Sequence, residues 1–210
     1  MPSGARPDGR MTRAAKQRQD RREQVLACAQ RVFSEKGYHN ANIADIIAEA
    51  GVARGTFYLY FESKRAIFDE LLDRLLAFIA GSVRRIDVSP EAPAPREQML
   101  ANVRSVLATL QTHRQLTRIL FNTAIGIDAD FDRKLGELYG RLREMIRGAL
   151  TLGTEMGLVR PCDPNVVSLC VLGSVKEVVE HLLVRGDGRG LDRERVSREI
   201  LEFNLKGLFR

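Results

Sequence analysis

Cysteine is scarce in this chain, with 3 residues in 210. Cys28, Cys162 and Cys170 are odd in number with no tight spacing, so they form neither a disulfide framework nor a C-x-x-C metal knuckle. Each sits in or beside an apolar stretch and reads as a small buried hydrophobe. Histidine is equally rare. His39, His113 and His181 share no metal-ligand spacing on one helical face, and His181 near Glu177 reads as a surface contact. G-x-S-x-G, P-loop, G-x-G-x-x-G and H-E-x-x-H patterns are all missing, so no enzyme, cofactor or metal is expected. Apolar runs long enough to span a bilayer are missing too, and the first residues lack the apolar core of a secretory signal. The expectation is a cytoplasmic protein with no membrane partner. Period-2 alternation is absent, which points away from strands and toward an all-α fold.

What the chain does have is positive charge at one end. Arg6, Arg10, Arg13, Lys16, Arg18, Arg21 and Arg22 stand against Asp8 and Asp20, a surplus of +5 within the first 22 residues of a chain whose net charge is +6. Residues 23–65 are balanced. A basic arm on a nearly neutral body suits a polyanionic partner such as nucleic acid. Residues 1–20, rich in Arg, Gln, Gly and Pro, are expected to be a disordered basic arm.

Helical patterning begins at about residue 21. Val25, Ala29, Val32 and Phe33 share one face of a helix over 21–36, which Gly37 closes. Asn42 caps a short helix over 43–50, ended by Gly51, and a third helix fits 54–60. A long fourth helix runs from Lys64 to about Ile86, before the proline-rich loop 89–95. Helices follow at about 96–112, 114–124, 129–153, 164–185 and 192–208, making nine in all. The eighth opens on Asp163-Pro164, an N-cap followed by proline, and is apolar nearly all round.

Three short helices and a long one, with a tight glycine turn between the second and third, is helix-turn-helix organisation. Such a motif lays its third helix in the major groove. The stretch Val52–Phe61 turns Val52, Phe57 and Phe61 inward and Arg54, Thr56, Tyr58 and Tyr60 outward. Arginine bonds guanine bidentately and threonine meets a base edge or a thymine methyl. Tyrosine hydroxyls and Lys64 suit phosphates, Gly55 admits close backbone approach, and Asn42 sits at an anion-favouring helix N-terminus. The candidate DNA-binding set is therefore Asn42, Arg54, Gly55, Thr56, Tyr58, Tyr60 and Lys64.

The run Gly37-Tyr38, Asn42-Ile43-x-Asp45-Ile46-Ile47-x-x-Ala50-Gly51-Val52, and Arg54-Gly55-Thr56-Phe57-Tyr58-x-Tyr60-Phe61-x-Ser63-Lys64 resembles the DNA-binding signature of TetR-type repressors. The likeness is dense over about 22–70. Tyr60 stands where many members carry His, and Asn42 where Thr or Ser is usual. The resemblance implies a helix-turn-helix domain over 21–66 and an effector-binding and dimerisation domain over 67–210. It implies a homodimeric repressor released from a palindromic DNA operator by a small-molecule effector. Helices 4–7 would enclose the effector and helices 8 and 9 would pair across the dimer.

On the inner faces of those helices the candidate pocket walls are Phe78, Met99, Val103, Leu107, Leu120 and Phe121, continued by Leu138, Tyr139, Leu142 and Met145. Few charges fall there, so a largely apolar effector is expected, with Tyr139, Thr117, Asn122 and His113 as polar partners. The dimer candidates are Leu169, Leu172, Gly173, Val179, Leu183, Ile200 and Phe203. Gly173 and Ser174 would let a partner helix approach closely. Two other readings stay open. One is an effector-independent DNA-binding activator of the same fold. The other is a helical small-molecule-binding protein with a degenerate DNA-binding head.

Overall fold

The computed structural model describes residues 9–123, 129–186 and 191–206, and all regular structure among them is helical. The elements are α1 (Gly9–Lys36), α2 (Ile43–Ala50), α3 (Arg54–Tyr58), α4 (Lys64–Ser82), α5 (Pro95–Thr112), α6 (Arg114–Thr123), α7 (Ala129–Glu155), α8 (Pro164–Val179) and α9 (Arg193–Lys206). A π-helical turn, Glu180–Arg185, widens the end of α8. The chain divides into two compact units between Leu71 and Leu72, and α4 runs through the division.

The arm departs from expectation. Residues 1–8 lie outside the described residues, but α1 begins at Gly9 and residues 9–20 are helical. Ala14 to Gln19 are strong helix formers and no proline falls between Pro7 and the end of α1. A helix already nucleated at 21–36 therefore extends backward, gaining one hydrogen bond per residue.

In the first unit, α1 supplies Val25, Leu26, Ala29 and Phe33 to a core completed by Ile46, Phe57, Phe61, Ile67 and Phe68, all buried. Phe33 meets Phe68 edge-on with centroids 5.6 Å apart, and Tyr38 packs on Phe68 at 4.2 Å. Asn42 and Asp45 close a full capping box on α2: the Asp45 N–H donates to Asn42 Oδ1 at 3.0 Å, and the Asn42 N–H donates to Asp45 Oδ2 at 3.1 Å. Gly51 ends α2 at φ 61°, a left-handed conformation that favours glycine and makes the sharp turn into α3.

The capping box carries a pH signature. The Lys36 ammonium, 2.8 Å from Asp45, together with the Asn42 N–H holds the Asp45 carboxyl below the usual carboxylate range. A carboxyl depressed on folding contributes stability above its unfolded pKa of about 3.9, and that contribution is lost as pH falls through the lower folded value. Chemical denaturation followed by circular dichroism between about pH 5 and pH 3 checks this. The midpoint of wild type falls over that window more steeply than that of Asp45→Asn. Parallel slopes would remove Asp45 from the account.

In the second unit α7 packs on α8, α5 on α9, and α6 on the π-helical turn. Leu75, Leu107, Ile119, Leu138 and Leu183 are buried there. The sequence expectation carried α4 to about residue 86, but it stops at Ser82. The reason is two side-chain amides on α5. Asn102 donates to Arg84 O at 2.7 Å and accepts from the Arg84 N–H at 2.9 Å. One turn earlier, Gln98 donates to Asp87 O at 2.6 Å and accepts from the Asp87 N–H at 2.8 Å. These amides take the place of helix partners for the backbone of Arg84 and Asp87, so the chain leaves the helix after Ser82.

Candidate nucleic-acid interface and effector chamber

In the first unit the expected DNA-contact residues fall on α3, the turn after it, the α2 N-cap and the first residue of α4. Arg54 and Gly55 are exposed, Tyr58 is 43% exposed, and Thr56 and Tyr60 are half-buried. The Arg54 guanidinium lies 5.9 Å from the Tyr58 ring centroid, near enough for a cation–π contact that orders both side chains. A Cβ on Gly55 would meet nothing within 4 Å, and its φ is not left-handed. The protein's own packing thus has no need of glycine there. Asn42 is committed to the cap.

Lys64 departs from its expected role. Its ammonium donates to Tyr38 O at 2.8 Å and Ala41 O at 2.9 Å, and sits 4.4 Å from the Tyr38 ring centroid. Two of three protons therefore hold the turn before α2, and at most one remains for a phosphate. Arg22, counted above with the basic arm, behaves likewise: it forms a bidentate pair with Glu70 on α4 and lies 4.7 Å from the Phe61 centroid. Tyr38 was visible only as part of a signature. Its function as the carbonyl and ring that seat Lys64 depends on contacts 26 residues apart.

The second unit holds a chamber of about 260 Å³. Eight of the ten expected wall residues line it: Met99, Val103, Leu120, Phe121, Leu138, Tyr139, Leu142 and Met145. Two do not. Leu107 is fully buried core, and Phe78 turns outward, 44% exposed, to stack on His113 at 4.1 Å. Thr117 is spent locally, donating to Leu110 O at 2.9 Å, and the side chain of Asn122 lies outside the described residues. Sequence reasoning missed Arg84, Arg85 and Lys176, which also line the chamber.

Tyr139 is the polar group left available. Burial pushes its phenol pKa up, and the charge of Glu180 adds to this, so it stays a neutral donor. Asn204 is held by Ser174 and Ile200 O, and Asn102 by Arg84, whereas the Tyr139 hydroxyl makes no hydrogen bond among the described residues.

The dimer set divides. Val179, Leu183 and Ile200 are buried within the protomer, and Leu172 lines the chamber, so none of these four forms an outer face. Leu169 at 52% exposure, Phe203 at 73% and the exposed Gly173 do face outward. Val166 and Cys170 extend the α8 part of that surface at helical spacing. Cys170 is thereby exposed rather than a small core hydrophobe, because it lies on this outward stripe.

The sequence pattern described as "Bacterial regulatory proteins, tetR family" matches residues 25–71, the segment that builds this head. The match identifies residues 25–71 as similar to the TetR-family DNA-binding domain. The chain is 25% identical over 201 residues to the fatty acid metabolism regulator protein of Bacillus subtilis, covering 92% of this chain and 98% of that one. Its fold is that of FadR from Bacillus subtilis, solved in complex with stearoyl-CoA (TM-score 0.67, 23% identity, 88% and 98% of the two chains). It is also that of the ketosteroid transcriptional regulator KstR2 of Mycobacterium tuberculosis (TM-score 0.71, 23% identity, 90% and 95%). These relatives are regulators, not enzymes, and TetR-family regulators bind DNA and small-molecule ligands and act as dimers. Among the described residues no helix is long and apolar enough to cross a membrane.

Proposed function

We propose that this protein is a homodimeric repressor that leaves a palindromic operator when a long-chain acyl compound enters the chamber of the second unit. The chamber carries the reading. Its walls are mostly apolar yet include one half-buried phenol with no hydrogen bond among the described residues, which suits a chain ligand with a hydrogen-bonding group near Tyr139. The stearoyl-CoA bound by the Bacillus subtilis FadR guides the choice of an acyl ligand.

The operator contacts are assigned to Arg54, Gly55, Thr56, Tyr58 and Tyr60, with Asn42 holding the α2 N-terminus toward the backbone. Coupling runs through α4. Its first residue, Lys64, grips the turn before α2, while Ile79 near its other end lines the chamber. A ligand that favours one setting of α4 shifts the head's population by its differential affinity for the two settings. In a twofold dimer the recognition helices must lie about 34 Å apart, or a multiple of that, to fit one DNA face.

The test is fluorescence anisotropy of the purified protein on DNA upstream of its own gene, with and without hexadecanoyl-CoA. Release of specific DNA by the acyl ligand supports the reading, and unchanged affinity overturns it. The dimer assignment has its own check. Leu169→Glu with Phe203→Glu puts two charges into the outward apolar face and yields a folded monomer in analytical ultracentrifugation, with weakened operator binding. A double variant that remains a dimer would place the interface elsewhere.

A further inference from the structure

Beside the chamber lies a second cavity, of about 1060 Å³, that the reading above does not use. The two adjoin. Ile86, Met99, Met145, Ala149 and Val159 line both, and Arg85 stands at their common edge. Methionine is flexible enough to let a chain pass between Met99 and Met145. On its outer side the basin is bordered by Gly140 and Gly148 of α7, where even a Cβ would meet nothing within 4 Å. The open space therefore reaches the helix backbone.

The charges are one-sided. The chamber lining holds Arg84, Arg85 and Lys176 and no carboxylate. The basin adds Arg96 and Arg141 against Glu137 and Glu144. Both carboxylates are already paired, Glu137 with Arg133 and Glu144 with Arg147, and Arg96 is paired with Glu202. Arg85 and Arg141 make no ion pair among the described residues. Arg85 is also held in place: its neighbour Arg84 is clamped by Asn102, and Asp87 by Gln98. An unpaired guanidinium on a clamped backbone, at the edge of an apolar chamber, is the chemistry that recognises a carboxylate or phosphate at the end of an apolar chain.

We infer that the basin seats the anionic head of the effector on Arg85 and Arg141 while its chain occupies the chamber. This rests on the chamber reading proposed above. The shared chemistry is a negative group on a long apolar tail, and it has two sources, a fatty carboxylate or the phosphates of an acyl carrier such as coenzyme A.

Isothermal calorimetry on the full chain decides it with three probes of one chain length: hexadecanoyl-CoA, hexadecanoate and uncharged methyl hexadecanoate. Arg85→Ala with Arg141→Ala removes the charges at two exposed positions, so the fold is kept. The double variant is expected to bind the anionic probe at least about tenfold more weakly, and to lose the salt dependence of that binding. Methyl hexadecanoate should bind both proteins alike. Arg85→Lys with Arg141→Lys should recover part of the loss. Loss confined to hexadecanoyl-CoA assigns the head to phosphates, and loss for hexadecanoate as well assigns it to any anion; either supports the inference. Equal binding of all three probes by wild type and the alanine variant overturns the head site while leaving the chamber reading intact. If none of the probes binds wild type, the chamber reading falls and the head site with it.

Discussion

Arg54→Ala is expected to weaken binding to specific DNA by about 1–3 kcal/mol while leaving binding to random DNA nearly unchanged. Arg54 is exposed and its contact within the protein is the Tyr58 ring at 5.9 Å, so its removal costs little stability. Tyr58→Ala removes the surface against which the guanidinium is ordered and adds a second loss. The double variant should bind operator and random DNA alike, through what remains of the basic α1 extension and its phosphate contacts. A salt series of anisotropy titrations separates these terms, since phosphate contacts set the slope and base contacts set the offset between sequences. An Arg54→Ala protein that still discriminates its operator as wild type does would move base reading off α3.

Phe57→Ala is expected to melt the DNA-binding head, at a cost of about 3–5 kcal/mol. The reason lies in how little else holds α3. The helix has five residues and its N-cap, Ala53, makes no side-chain bond. A helix so short has no stability of its own. Phe57 is fully buried and touches Phe61 and Tyr58, with centroids 6.1 and 5.4 Å away. Its burial is therefore what keeps Arg54, Thr56 and Tyr58 in one array. Thermal unfolding followed by circular dichroism should show an early transition of the head, with the second unit melting near the wild-type temperature. Operator binding should be lost. A variant with wild-type melting and DNA affinity would show that α3 is held by other contacts.

The head was legible because its signals are local. Asn42 three residues before Asp45 is a cap whatever surrounds it, and Gly51 marks a left-handed turn by its lack of a side chain. The apolar spacing of Val25, Ala29, Val32 and Phe33 needs no tertiary partner to define a face. The chamber was partly legible, since α5 and α7 are amphipathic and their inner faces are short lists. Phe78 and Leu107 illustrate the limit. Both lie on apolar faces, but whether such a face meets a cavity, a core or a ring such as His113 depends on residues far along the chain.

Helix α8 shows the same limit more sharply. Apolar residues surround it, so periodicity names no inner side, and Leu169 and Val179 look equivalent in sequence although one is half exposed and the other buried. The end of α4 was hidden because its competitor, the Gln98 and Asn102 amides, lies in another helix. Arg22 and Lys64 read as free cations until Glu70, Tyr38 and Ala41 are brought beside them.

The existence of most helices, the α2 cap and the helix-turn-helix order were thus legible in the sequence alone, because backbone hydrogen bonding and capping act within a few residues, whereas the start of α1 and the end of α4 were not. Which apolar residues face ligand, core or partner, and which charges are already spent inside the protein, was decided only by the tertiary structure. Burial and ion pairing are properties of neighbours in space, and helical periodicity specifies only neighbours along the chain.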